Sequence, residues 1–284
     1  LNRYSVKLGS KAVIFTNNDS AYTTALDLIN AGVNVEAIVD LRPNSNGSLP
    51  DSLQKSGIPI FREHIIINVK GRMRVKNVEI IALNKSGSAV TGKSHKIVCD
   101  LVAVSGGWNP TIHLHTQSGG TLKFDEFRSC FVPLEVVQDE ISTGSCNGTF
   151  SLDECLKEGS IAGIKAAYEA GFGSGKSSSI STESTESRIY SQRDLWILPS
   201  YNQLGRGPKQ FVDLQTDTTV ADLVIATREG YQSIEHIKRY ITLGMGTDQG
   251  KTGNVVGIGV VSRILSKDIS SIGTTTFRPP YTPV

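Results

Sequence analysis

Residues 11–40, KAVIFTNNDSAYTTALDLINAGVNVEAIVD, decide the fold. Lys11–Thr16 is a short run rich in apolar and β-branched residues, and residues 17–20 form a polar turn. Residues 21–31 then carry Ala21, Ala25, Leu28 and Ile29 at helical spacing. Gly32 stands where a helix closes through a left-handed residue, and Asn34–Asp40 reads as a second strand. Strand, helix and second strand in this order make a βαβ unit, and an acid at the tip of the second strand is where a dinucleotide fold bonds a ribose diol. Asp40 is therefore a candidate ribose ligand, and Arg42 beside it is a candidate partner for a 2′-phosphate. The turn departs from the pattern. Where GxGxxG would stand, the chain reads T-N-N-D-S-A from Thr16, with no glycine to admit a pyrophosphate and with Asp19 adding a like charge. A bound nucleotide and a nucleotide fold without one both remain open at this point.

Downstream, residues 58–61, 63–68, 72–83 and 96–104 read as further strands, with charged hairpin tips at 69–71 and 85–93, so that a β-meander closes the first domain. CDLVAVSGGWNP, from Cys99 to Pro110, looks like the return crossover of a pyridine-nucleotide oxidoreductase. STGSCNG at 142–148 precedes a helix over 152–168 whose Ala162, Gly163, Ala166 and Ala167 are small. In such flavoproteins a T-G-D turn sets a helix N-terminus against a nucleotide, which makes Gly144 and Ser145 candidates here, although Ser145 replaces the acid. A strand-to-helix turn without a ligand is the alternative. No strand–GxGxxG–helix lies upstream, so the domain to which residues 106–172 belong is expected to begin before Leu1, and both termini look cut.

GSGKSSSISTESTESR, at 173–188, has little that packs and reads as a flexible linker, after which Trp196, Leu198, Pro199 and Tyr201 are placed to staple the chain back onto a domain. Helices are expected over 219–229, capped by Thr218 or Thr219 and ended by Gly230, and over 233–243, capped by Ser233 and stopped by Gly244. Residues 244–254 form a glycine-dense loop that opens a third helix over 255–265. Such a loop can cradle a phosphate, and Thr247, Asp248, Gln249, Gly250, Lys251 and Thr252 are its candidate ligands. Gly250-Lys251-Thr252 is not a P-loop, since Met245 takes the first glycine's place and no strand precedes it. The alternative is a turn kept for its geometry alone. His236, between Ile234 and Ile237, reads as a surface or hydrogen-bonded histidine.

The 284 residues carry 29 Lys plus Arg against 27 Asp plus Glu, a balance of +2 that leaves no electrostatic footprint for nucleic acid or anionic membrane. No apolar run approaches the length of a membrane span, and no secretory h-region follows the N-terminus, so a cytoplasmic setting is expected. Cys99, Cys130, Cys146 and Cys155 form no CxxC pair and read as reduced core thiols, with no metal site. The expected fold class is α/β. Residues 1–105 form a nucleotide-binding βαβ domain with a meander, 106–172 part of a second dinucleotide-binding domain, 173–204 a linker, 205–270 a small all-α module and 271–284 a further linker.

Four strings carry a family resemblance: VIFTNNDSAYTTALDL at 13–28, VSGGWNP at 104–110, REG-x-x-S-x-EH-x-KRY-x-TLGM-x-TDQGKT at 228–252 and GTTTFRPPYTPV at 273–284. The chain resembles the middle of the alpha subunit of heterotetrameric sarcosine oxidase. That resemblance implies a larger protein whose two-domain dinucleotide-binding part holds NAD and whose C-terminal domain binds tetrahydrofolate. It also implies beta, gamma and delta partner subunits, with FAD on the beta subunit and FMN near the alpha–beta boundary. Sarcosine is oxidised on the partner, oxygen is reduced, and the one-carbon unit passes to folate, so no catalytic residue is expected here. A pyridine-nucleotide-dependent reductase and a non-catalytic interaction module are the alternatives. The helical module further resembles the iron–sulfur domain of bacterioferritin-associated ferredoxin. The four ligand positions of that domain fall on Asp213, Gln215, Asp248 and Gly253, none a cysteine, so no cluster is expected.

Overall fold

The computed structural model describes residues 1–45, 48–175 and 192–274. Two compact units divide it. The first comprises Leu1–Gly107 with the returning residues 192–210, and the second the described residues from Trp108 to 175 with those from Phe211 onward.

In the first unit, β1 (Lys11–Thr16), α1 (Ser20–Asn30), β2 (Asn34–Asp40), α2 (Ser48–Lys55) and β3 (Ile60–Arg62) alternate in the expected order. The antiparallel meander β4 (His64–Gly71), β5 (Val75–Leu83) and β6 (Val90–Val98) follows, and β7 (Leu101–Ser105) returns to the first sheet. The parallel sheet has the order β3-β2-β1-β7, so β1 sits at the point where the chain's progression across the sheet reverses. Side chains alternate across β1 as a pleat requires. Ala12 and Ile14 face Tyr22, Ala25 and Leu28 of α1, while Val13 faces Ile66, Val78 and Ile80 of the meander. The sheet is thereby covered on both faces, as a parallel sheet demands. Gly32, at φ +73°, follows the α1 cap residue Ala31 as expected.

Several boundaries differ from the expectation. Residues 69–71 lie inside β4, and the turn falls at 72–74. The hairpin expected over 85–93 already contains the start of β6, and the single strand expected over 96–104 is two, the end of β6 and all of β7, parted at Cys99–Asp100. Asp100 turns the chain there because its carboxylate accepts the amides of Ser10 and Lys11. β6 is an edge strand exposed at almost every position, so it shows no alternation to read. α2 has only two buried residues, Pro50 and Leu53, too few for a visible stripe.

Residues 192–204, expected as linker, pack on the first unit. Leu195 and Leu198 lie against the cluster of Leu41, Ile65, Ile81 and Leu83, whereas Tyr201 is exposed. Residues 176–191 of the expected linker, and 275–284, lie outside the described residues.

The second unit opens with α3 (His113–Gln117) and the hairpin β8 (Leu122–Asp125) and β9 (Cys130–Pro133). A 3-10 turn at Gly144–Asn147 leads into α4 (Leu152–Glu169), no residue of which is buried. A short hairpin, β10 (Phe211–Asp213) and β11 (Thr218–Thr219), precedes α5 (Val220–Arg228), α6 (Ile234–Ile241), α7 (Asn254–Leu265) and α8 (Ile269–Ile272). Thr219 is the α5 cap, its amide and hydroxyl donating to Asp222. Leu223, Ile234, Ile237, Leu243, Ile258 and Val261 fill the helical core. α6 ends earlier than expected. It closes on Thr242 in the left-handed region at φ +61°, two residues before Gly244. No described helix is long and apolar enough to cross a membrane.

Candidate functional site

The loop between α6 and α7 is built by its own polar side chains. Asp248 accepts the Gly250 amide at 3.0 Å through Oδ1, and the Thr252 amide at 3.1 Å and hydroxyl at 2.6 Å through Oδ2. Burial works against ionisation of this carboxyl, but the bonds from Thr252 and Gly250 and the charge of Lys251 outweigh it and hold Asp248 below its ordinary value. The hairpin supplies the other half. Asp213, 1% exposed, accepts the Gly244 amide at 2.8 Å, and Gln215 Oε1 accepts the Thr247 hydroxyl at 3.0 Å and the Asp248 amide at 3.3 Å. Gln249 donates to the Gly246 carbonyl. The four positions matched to cluster ligands therefore surround one loop: a Cβ added to Gly253 would lie 3.2 Å from that of Asp213, and Gln215 contacts Asp248. Hydrogen bonds link Asp213 to Gln215 and Gln215 to Asp248, and Gly253 packs against Asp213. Gly250, at φ +79°, admits no side chain, since a Cβ would come within 2.2 Å of Asn254.

Lys251, one of the six loop candidates, lines a pocket. The pocket, about 110 Å³, lies within the second unit, with Pro110, Ile112, Leu122, Phe131, Val255 and Ile258 as apolar walls and Asn109, Thr111 and Thr274 as polar ones. Lys251 thus brings one charged side chain to a pocket whose walls are mostly apolar. Sequence reasoning passed over two buried histidines of α3, of which His113 lies near Lys251. His113 is 4% exposed, and burial, then the nearby charge of Lys251, pushes its pKa down. His115 Nε2 donates to the Thr121 carbonyl at 2.8 Å and Nδ1 meets the Glu140 carboxylate, tying α3 to β8 and to the chain beyond β9. The H-x-H spacing of 113 and 115 was the available signal. His236 is exposed, as read from sequence.

At the turn before α4, Gly144 is buried and its amide donates to Glu158 Oε2 at 2.8 Å, while Ser145 is exposed. Glu158 also accepts the Thr149 hydroxyl. A carboxylate of the chain itself thus occupies the donor that a nucleotide would use. Cys146 and Cys155 donate to the carbonyls of Thr143 and Thr149, and Cys130 is buried with its thiol pushed up to about 12.

At the first unit's candidate site, Asp40 is fully buried. Its Oδ1 accepts the Arg42 amide at 2.9 Å and Nε at 3.1 Å, and its Oδ2 accepts the Tyr22 hydroxyl and Arg42 Nη2, each at 2.8 Å. Arg42, 3% exposed, also pairs with Asp19 at 2.7 Å. Burial opposes the Arg42 charge, but Asp40 and Asp19 more than compensate and raise its pKa; burial and then Asp40 raise that of Tyr22. The ribose role expected of Asp40 and the phosphate role expected of Arg42 find both groups already engaged with each other.

Residues 207–284 match the sarcosine oxidase A3 domain. The whole chain is 35% identical to the sarcosine oxidase alpha subunit of Corynebacterium sp. (strain P-1) over 287 aligned residues and 36% identical to that of Rhizobium meliloti (strain 1021) over 284. It covers 29% and 27% of those subunits. In structure it is similar over 100% of its length to 50% of the L-proline dehydrogenase of P. horikoshii, with a TM-score of 0.58 at 21% identity, a likeness of fold. The chain is sarcosine oxidase alpha subunit-like along its entire length, and its residues 207–284 are similar to the A3 domain.

Proposed function

We propose that this chain works as part of the alpha subunit of a sarcosine oxidase-type complex, in which it supplies a nucleotide-fold scaffold and a helical module that faces a flavin. The observation that carries this reading is the similarity to sarcosine oxidase alpha subunits over all 284 residues, not over the A3 domain alone. The complex would demethylate sarcosine to glycine oxidatively, with oxygen reduced to hydrogen peroxide and the one-carbon unit passed to tetrahydrofolate. Its partners would be beta, gamma and delta subunits, with FAD on the beta subunit and FMN at the alpha–beta boundary. NAD would be held by the whole alpha subunit. The chain spans under a third of the relatives it matches, and α4 presents Leu152, Leu156, Ile161 and Tyr168 to solvent; the rest of the subunit would cover them.

FMN is a flavin with a single terminal phosphate, and what it supplies when bound is electron transfer. Among the loop candidates, Lys251 is the residue to hold that phosphate, because it lines an apolar pocket while Asp248, Gln215 and Asp213 hold the loop around it. Thr247 and Thr252 position the loop, and Gly250 lets it turn. A charge-assisted contact to phosphate is worth about 1.5–3 kcal/mol, so Lys251→Ala in the assembled complex should weaken FMN retention roughly tenfold to a hundredfold while leaving sarcosine binding intact. Unchanged FMN content and unchanged flavin-to-flavin electron transfer in that variant would remove Lys251 from the flavin site.

A further inference from the structure

An open parallel sheet receives its ligand in the crevice beyond the strand ends at the switch point, and a dinucleotide needs three things there. The crevice itself must be open, the first amides of the following helix must be available, and the acid at the tip of the second strand must face solvent. The first unit offers none of the three. The crevice between the ends of β1 and β7 is bridged by Asn18, wholly buried, whose Nδ2 donates to the Ser105 hydroxyl at 2.9 Å and carbonyl at 3.3 Å. The Asn17 amide donates to the same carbonyl at 3.4 Å. Asn18 Oδ1 in turn accepts the Ser20 amide at 3.1 Å and hydroxyl at 2.6 Å, so a side chain of the turn satisfies the first amide of α1. The carboxylate of Asp19, at the α1 cap position, holds the negative charge that a pyrophosphate would bring, and Arg42 already neutralises it. Asp40 is enclosed by Tyr22 and Arg42.

A second observation comes from a distant part of the chain. Arg193, in the returning segment, donates from Nη1 to the Leu41 carbonyl and from Nη2 to the Lys85 carbonyl, each at 3.0 Å, and lies 3.7 Å from Glu63. The Arg193 carbonyl accepts Asn17 Nδ2 at 3.5 Å. Leu195 and Leu198 anchor the same segment on the apolar cluster beneath Leu41. Leu41 directly follows β2 and Asn17 directly follows β1, so the segment crosses the C-terminal ends of these two strands, where a dinucleotide would lie.

We infer that the cofactor crevice of the first unit is closed by the chain itself, with the Asn18–Ser105 bridge, the Asp19–Arg42–Asp40–Tyr22 network and the Arg193 segment in the place of a dinucleotide. NAD does not fit at the β1–α1 turn. This inference is independent of the flavin reading of Lys251, which belongs to the other unit.

Site-resolved hydrogen–deuterium exchange of the full chain with NAD, NADP and ADP-ribose at millimolar concentration tests it. The expected result is no ligand-dependent change at residues 17–20, 40–42 and 193–198, whatever changes occur elsewhere. Saturable slowing of exchange at those residues would overturn the inference. In addition, Arg193→Ala and, as a milder change, Tyr22→Phe should keep the native circular dichroism yet speed exchange at Asn17, Asn18 and Ser20, roughly tenfold or more for Arg193→Ala. Exchange at these amides that is unchanged in Arg193→Ala would also overturn it, because the segment would then not be closing the turn.

Discussion

Arg42 keeps its charge while 3% exposed because Asp40 and Asp19 flank it, and the removal of any one of these groups has a calculable consequence. Arg42→Ala would leave Asp40 buried without its cation, at a cost of about 3–5 kcal/mol. Tyr22→Phe takes away one hydrogen bond to the same carboxylate and should cost about 1–2 kcal/mol. Urea unfolding of both variants checks the order; equal losses would mean that the charge is not what matters there. The sequence made Asp40 legible as an acid at a strand tip. Whether the acid faces out was not legible, because its enclosing partner Tyr22 lies 18 positions away on the helix face that packs against the sheet. Gly144 repeats the lesson: the glycine could be read, but Glu158, one helix later, takes its amide.

The loop between α6 and α7 shows how far an element can be read. Its glycines and the helix after it follow from composition, whereas the roles of Asp213 and Gln215 depend on a hairpin of three- and two-residue strands, too short to leave a pattern. Two of the module's helices, α5 and α6, carried caps and a glycine at or near the end and were legible, and α7 followed from the glycine-dense loop before it; α2 and β6 carried no apolar stripe and were not. Asp248 predicts a pH dependence. Its folded-state value lies below the ordinary 3.8, so the stability contributed by its ionised form is fully present above that value and is lost as pH falls through the lower folded one. The advantage of the native protein over Asp248→Asn in urea should therefore be constant from about pH 7 to 5 and shrink below about pH 4. A difference that grows on acidification would contradict the hydrogen-bond scheme. Gly250→Ala should destabilise by more than about 1 kcal/mol, being strained in φ and crowded by Asn254.

For the molecule as a whole, one device recurs at each turn or loop that the sequence offered as a candidate nucleotide or phosphate site. Asp40 and Asp19 close the first turn, Glu158 the second, and Asp248 with Asp213 the third. Carboxylates of the chain take the amides and cations that a phosphate would use, while Lys251 lines a pocket of the second unit. This is compatible with the scaffold role proposed above. Purified alone, it should consume no oxygen with sarcosine and should contain neither stoichiometric iron nor acid-labile sulfide by elemental and colorimetric assay. The most direct measurement is made on the proposed complex: an alpha subunit carrying this chain, co-purified with the proposed beta, gamma and delta partners and assayed for bound FMN and sarcosine-dependent hydrogen peroxide. The account predicts stoichiometric FMN and peroxide formation. A stable complex that binds no flavin, or that leaves sarcosine unoxidised, would contradict it.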